Sequence, residues 1–351
     1  MRPYVELALA RAGNPPRARA NWLHHVAAAL YHKHQFDEAF AVESESLAQL
    51  RKAVPPGNVA IADSLALLAL LESERGHLDR AAELSQEVLD DDIAVRGPTH
   101  PSTAGSHMNM GLLEIRRGAP LAALAHMEKA DEIEKANGIV RWEMPLNLGL
   151  VQRDLGRPRA ALASLERGVA NADHDEAGDT VGVAASTRGL ASVLIELGDL
   201  DRAKPILDRA LVAARAHEQY AVPEVHGQLA LYWLVHGNVA EARAALAAAR
   251  AADGDRSPSV ELAAAGLATR ARDWAAARAA FKRAAEAAAS TDPSEAITTL
   301  ATLGIAECDI ATGKSAEAAR ALTERVQWLE KAGAEPEVLA RARQLLARAT
   351  K

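Results

Sequence analysis

Cysteine is almost missing from this sequence: Cys308 is the single one in 351 residues. A disulfide-stapled scaffold and a Cys-rich zinc fold are thereby excluded, and a reducing compartment fits. Aromatic residues are also scarce, with five Trp, four Tyr and three Phe. Together with few Ile and Val, that argues against an extensive β-sheet. No apolar run reaches the roughly 18 residues of a membrane-spanning helix, and the first residues lack the charged-then-apolar layout of a secretory signal. Positive charge is not in excess: 47 acidic against 40 basic residues give a net charge of -7. A dedicated nucleic-acid binder needs a basic face to displace counterions, so that class is disfavoured. What is abundant is alanine, nearly a quarter of the chain. Alanine is the best helix former and lets helix backbones approach closely, but each one buries little apolar area. Many short helices packed neighbour to neighbour are expected, in a cytoplasmic protein.

A motif Gly-x-apolar-x-x-Ala recurs. It reads Gly76-His-Leu-Asp-Arg-Ala81, Gly118-Ala-Pro-Leu-Ala-Ala123, Gly156-Arg-Pro-Arg-Ala-Ala161, Gly198-Asp-Leu-Asp-Arg-Ala203, Gly237-Asn-Val-Ala-Glu-Ala242 and Gly313-Lys-Ser-Ala-Glu-Ala318. Degenerate copies begin at His34 and Arg272. The spacings are 42, 42, 38, 42, 39, 35 and 41. Seven residues before each turn stand Ala27, Ala69, Gly111, Gly149, Ala191, Ala230, Ala265 and Ala306. One residue earlier the column is mostly large and apolar, from Val26 and Leu68 to Ile305. Nine after the turn stand Met127, Leu165, Leu207, Leu246, Phe281 and Leu322, with Glu43 and Ser85 in the first two copies. Each unit therefore reads as two antiparallel helices. The turn Gly ends the first, an Asp or Pro starts the second, and the small columns are where the two touch.

These columns resemble the tetratricopeptide repeat, with the best copy running from Arg96 to Gly118. The length is similar to the roughly 42-residue variety of kinesin light chains, which is also common in large bacterial signalling proteins. The resemblance implies an all-α, right-handed superhelical α-solenoid of about eight helix-turn-helix repeats over 18–332, closed by a capping helix in 333–351. The aromatic that the family carries early in the first helix is replaced by His107, Pro145, Thr187 and Glu261, and the seventh unit lacks the turn Gly. Residues 1–17 read as an amphipathic helix without a partner, which suggests the remnant of a preceding region of a larger protein.

The resemblance also implies a concave face lined by first helices that binds partner segments, and no catalysis. No cofactor or metal is expected. Ala311-Thr-Gly-Lys-Ser315 looks like a P-loop end, but Cys308 stands where a Gly is needed and no strand precedes it. His24, His25, His32 and His34 lack tidy ligand spacing. Cys308 reads as a packed thiol. Asp90-Asp91-Asp92 and Asp173-His174-Asp175-Glu176 lack the pattern of a calcium loop and read as solvated surface. The expected groove residues are Asn109 and Asn147, nine before their turns and able to pair with a peptide backbone, with Met108 and Leu112 as an apolar floor. Arg116, Arg153 and Arg188 would add a basic patch suited to an acidic residue or a C-terminal carboxylate. Asn21, His24 and Tyr31 would line the N-terminal part. The alternative for both Asn residues is bonding between neighbouring helices. The function expected is a protein-protein interaction scaffold binding a partner peptide, the recruitment part of a bacterial signalling protein. A receptor for a short signalling peptide and an enzyme on a helical solenoid are the alternatives. Neither nucleic acid nor membrane is expected as a partner.

Overall fold

The computed structural model describes Gly13 and residues 15–174, 180–252, 257–291 and 294–351. The helix expected within 1–17 lies outside them except for its last residues, as do Asp175 and Glu176. No strand occurs among the described residues. The helices fall into two compact units, Met1–Ile139 and Val140–Lys351. The first holds three helix pairs: α1 (Pro16–Tyr31) with α2 (Phe36–Ala53), α3 (Val59–Glu74) with α4 (Leu78–Arg96), and α5 (Pro101–Arg116) with α6 (Pro120–Ala136). The second holds α7 (Glu143–Asp154) with α8 (Pro158–Asp173), α9 (Thr180–Leu197) with α10 (Leu200–His217), and α11 (Val222–His236) with α12 (Val239–Ala251). It continues with α13 (Pro258–Arg270) and α14 (Trp274–Thr291), α15 (Glu295–Ala311) and α16 (Ser315–Ala332), and the final α17 (Pro336–Ala349). The α7 helix begins at Glu143. Pro145 falls in its first turn, where its missing N–H has no partner to lose.

The small columns are the seams. Ala27, Ala69, Ala191, Ala230, Ala265 and Ala306 are buried, as are Ala39, Ala81, Ala123, Ala161, Ala203, Ala242, Ala277 and Ala318 across the turn. Met127, Leu165, Leu207 and Leu322 fill the space beside them and are fully buried. The turn conformation is kept even where the Gly is lost: His34 and Arg272 sit at φ 56° and 58°. Those two copies hold a left-handed backbone at roughly 1–2 kcal/mol each, so stacking overrides local preference.

Polar contacts repeat with the helices. In the first unit Arg75 Nε donates to Asp37 at 2.8 Å and Arg117 Nη2 to Asp79 at 2.9 Å, each the residue before a turn Gly reaching the preceding repeat. Both carboxylates are exposed, so these pairs mark register more than they stabilise. One sequence expectation is corrected here. Asp92 is no solvated surface group: it is 4% exposed, pairs with Arg96 and accepts Ser106 Oγ at 2.5 Å. A buried carboxylate needs such partners to remain charged.

Within the second unit the first helices come round on themselves. Asp154 at the end of α7 accepts Ser294 Oγ at 2.7 Å and the Ala296 N–H at 3.1 Å, at the start of α15. Beside it, the turn 333–335 docks on the turn between α7 and α8. The Glu335 N–H donates to Gly156 O at 2.8 Å, and Arg157 Nη2 to Ala332 O at 2.6 Å. The Glu335 carboxylate accepts the Arg159 N–H at 2.8 Å, at the N-terminus of α8, where orphan amides and the helix dipole favour an anion. Gly156 is needed twice. Its φ is 71°, and a Cβ there would stand 2.9 Å from Ala334 Cβ. Five first helices, α7, α9, α11, α13 and α15, thus form a ring.

Candidate binding surfaces

The first-helix face of the Met1–Ile139 unit gathers several expected groove residues. Arg116 Nη1 donates to Glu74 at 2.6 Å, which puts α5 beside α3. Tyr31 of α1 feels both: burial raises its pKa first, Glu74 raises it further, and Arg116 opposes. On the same face Leu70 and Leu112, each six residues before its turn, are 40% and 38% exposed. Met108 is half-buried and Asn109 exposed. Among the described residues Asn109 makes no side-chain hydrogen bond. Asn21 is exposed at a small cavity shared with His24, His25 and Asp63. His24 is partly engaged elsewhere: its Nδ1 lies 3.1 Å from Glu43 Oε1. Glu43 replaces the large apolar residue of its column, is fully buried, and also accepts Ser64 Oγ.

In the Val140–Lys351 unit Asn147 is half-buried and likewise without a side-chain hydrogen bond among the described residues. Arg153 Nε donates to Glu196 at 2.7 Å. Burial works against its charge, but Glu196, Asp154 and Glu224 outweigh burial and raise its pKa. Arg188 pairs with the buried Glu218. Each arginine expected in a basic patch therefore has its own carboxylate: Arg116 with Glu74, Arg153 with Glu196 and Arg188 with Glu218. Residue type and spacing show the cation, but not which acid reaches it: Glu74 comes from the preceding repeat, Glu196 from the following one and Glu218 from just beyond the second helix of Arg188's own repeat.

The ring of first helices encloses a cavity of about 400 Å³. Ile195, Leu231, Leu234, Leu262 and Leu300 supply apolar wall, and Phe281 reaches in from α14. Gly266 and Gly304 line it too. They occupy the columns that carry Leu112 and Asn109 in the third repeat, and Leu234 and Phe281 pack closely against them. Gln228 stands in the same column as Asn109 and Asn147, lines the cavity and is 5% exposed. Its Nε2 donates to Arg188 O at 3.3 Å. Its Oε1 has no hydrogen-bond partner, a situation that costs about 1–3 kcal/mol in a buried site. Sequence reasoning missed Gln228, although the Asn column pointed to it.

The remaining chemical candidates are structural. Burial pushes the Cys308 thiol up to about 11, with Glu307 and Asp309 adding to the effect, so it is a poor nucleophile near neutral pH. Gly313, in the P-loop-like stretch, is a helix-to-helix turn at φ 81°. Among the described residues no three His, Cys, Asp or Glu side chains converge on one point. None of the described helices is long and apolar enough to cross a membrane.

No protein-family model and no curated protein gives a significant match to the sequence. Solved structures do match. A tetratricopeptide repeat protein from Parabacteroides merdae is 15% identical, covers 82% of this chain and 99% of its own, and superposes with a TM-score of 0.56. BtubC (BKLC) from P. vanneervenii is 20% identical over 62% of this chain and 91% of its own, with a TM-score of 0.55. PilW, a type IV pilus biogenesis factor, is 18% identical over 66% and 92%, with a TM-score of 0.52. At these identities the likeness is one of fold.

Proposed function

We propose that this tetratricopeptide-repeat chain is a protein-interaction scaffold, and that the first-helix face of its Met1–Ile139 unit takes an extended peptide segment of a partner. The observation that carries the reading is the pair Leu70 and Leu112, exposed at equivalent positions of successive repeats. Large apolar side chains repeated on one face are a feature of partner surfaces. An apolar side chain of the peptide would rest on them and on Met108. Asn109 has both amide atoms free to pair with the peptide backbone, and Asn147 offers the same chemistry in the other unit. Arg116 is exposed enough for a partner carboxylate, from an acidic residue or a chain end, to compete with Glu74. The face offers binding and no assembled catalytic group. A cytoplasmic scaffold that recruits partners to a larger bacterial signalling protein is consistent with it.

The test is selection from a peptide library on the purified chain, followed by affinity measurement on variants. Selected peptides should share an apolar anchor, and Leu112→Asp should weaken them at least tenfold while the circular dichroism spectrum stays that of the parent. Asn109→Ala should weaken them by a smaller factor. Peptides that bind Leu112→Asp as well as the parent would place the groove elsewhere.

A further inference from the structure

We propose that His107 and His126 form a two-histidine site for a divalent transition-metal ion of square-planar or tetragonal preference, with Cu2+ the tightest binder. The two residues stand eleven before and eight after the turn at Gly118. In the second repeat the same columns hold Leu65 and Leu84, both buried in one apolar cluster. In the third repeat an apolar seam pair is thus replaced by imidazoles on both helices at once. The rings meet across α5 and α6 with centroids 5.3 Å apart and Nδ1 atoms 3.0 Å apart. Both are half-buried, so an ion and its waters can reach them. Burial lowers the pKa of each, so at neutral pH each ring is uncharged and has a nitrogen lone pair to offer. With metal–imidazole bonds of about 2.0–2.1 Å, nitrogens 3.0 Å apart subtend roughly 91–97° at the ion. That is a cis pair in the square-planar or tetragonal geometry of Cu(II) and Ni(II). A tetrahedral pair would stand about 3.3–3.4 Å apart at the same bond length. The usual affinity order places Cu2+ above both Ni2+ and Zn2+. Water completes the coordination, since no third His, Cys, Asp or Glu joins the pair among the described residues. The nearest charges are already matched, Lys129 with Glu132 and Glu114 with Arg117. Without an ion, one Nδ1 keeps its proton and donates to the other. On binding, that proton moves to Nε2 of the same ring, so both Nδ1 lone pairs face the ion and no net proton is released. The site uses none of Leu70, Asn109, Leu112 and Arg116, so it and the peptide face can fail separately.

Calorimetric titration of the full chain with CuCl2 tests this, with the ligands of the bound ion read by pulsed electron paramagnetic resonance. The tightest site should show two imidazole nitrogens. His107→Gln and His126→Gln should each weaken it about tenfold or more. His107→Leu/His126→Leu writes the apolar pair of the second repeat into the third. It should lose the site while its circular dichroism spectrum stays that of the parent. His32→Gln/His34→Gln controls for adventitious binding at the N-terminal histidines and should leave the tightest site unchanged. Copper-catalysed oxidation with ascorbate, followed by peptide mapping, locates the ion in the parent chain without any variant and should mark His107 and His126 first. Absence of a two-imidazole site in the parent would overturn the proposal, as would a tightest site unchanged in His107→Leu/His126→Leu. Loss of that site in His32→Gln/His34→Gln, or first oxidation at other histidines, would also overturn it.

Discussion

Replacing Gly304 by alanine tests whether the α14–α15 seam is as tight as its geometry implies. On helix propensity alone the change should stabilise by about 1 kcal/mol. The new Cβ, however, would stand 2.5 Å from Phe281 Cε1, where carbon atoms ordinarily rest about 3.5–4.0 Å apart. Relieving that moves an aromatic ring by about 1 Å, and overpacking of this kind costs about 1–3 kcal/mol. The net expectation is a loss of about 1 kcal/mol. Gly111→Ala is the control in the other unit. Its Cβ would meet Met127 Cε at 2.9 Å, the end of a flexible chain that can move aside, so a neutral or slightly stabilising outcome is expected. Urea denaturation is read by tryptophan fluorescence for Gly304→Ala, because Trp142, Trp233, Trp274 and Trp328 lie in the Val140–Lys351 unit, and by Trp22 alone, with the other four replaced by Phe in the background, for Gly111→Ala. With a slope of about 2–3 kcal/mol/M the midpoint should fall by about 0.3–0.5 M. Adding Phe281→Leu should make Gly304→Ala less costly than it is alone, with a coupling of about 1 kcal/mol or more. If Gly304→Ala is as stable as Gly111→Ala, or Phe281→Leu does not change its effect, the seam is looser than the argument requires.

Glu335→Ala should destabilise the Val140–Lys351 unit by about 1–2 kcal/mol, the usual cost of losing a side chain that caps a helix N-terminus. Hydrogen exchange should speed up at 156–160 and 334–337, and unchanged exchange there would refute the closure. The His107–His126 pair, with Nδ1 atoms 3.0 Å apart, predicts a pH effect in the Met1–Ile139 unit. Burial holds both below the ordinary histidine value of 6.5; His126 and Lys129 lower His107 further, while Glu114 partly opposes the effect at His126. The unfolded chain therefore binds more protons than the folded one near and below pH 6.5, and stability falls with falling pH. Their contribution is complete above the unfolded value and is lost as pH drops through 6.5 towards the folded values. Thermal melts at pH 7.5 and 5 should show a smaller drop for His107→Gln than for the parent, and an equal drop would rule the pair out as the cause.

The array was legible because its signals are local and repeated. Eight copies at seven near-constant spacings, two small columns and a turn residue specify the helix pairs, and the degenerate turns at His34 and Arg272 were recovered from register alone. Of the residues now proposed for the peptide face, Asn109, Met108, Leu112 and Arg116 were named from their columns, whereas Leu70 was passed over although it shares the Leu112 column. The arginines were found without their acids. Glu74, Glu196 and Glu218 were visible as residues, but each helix offers several carboxylates, and the choice depends on how neighbouring repeats are rotated.

By itself, then, the sequence determined the helices, their pairing and which small residues lie at the seams, since those follow from periods of a few residues within one repeat. Tertiary structure alone decided that Glu335 would reach Arg159, 176 residues away in the chain, and that Asp154 would meet Ser294. It also decided that Gly266, Gly304 and Gln228, from three different repeats, would line one cavity. Ring closure sums the small rotation between each pair of neighbouring repeats. No single repeat encodes that sum, and a slight change in any of them would leave the same columns facing a different partner.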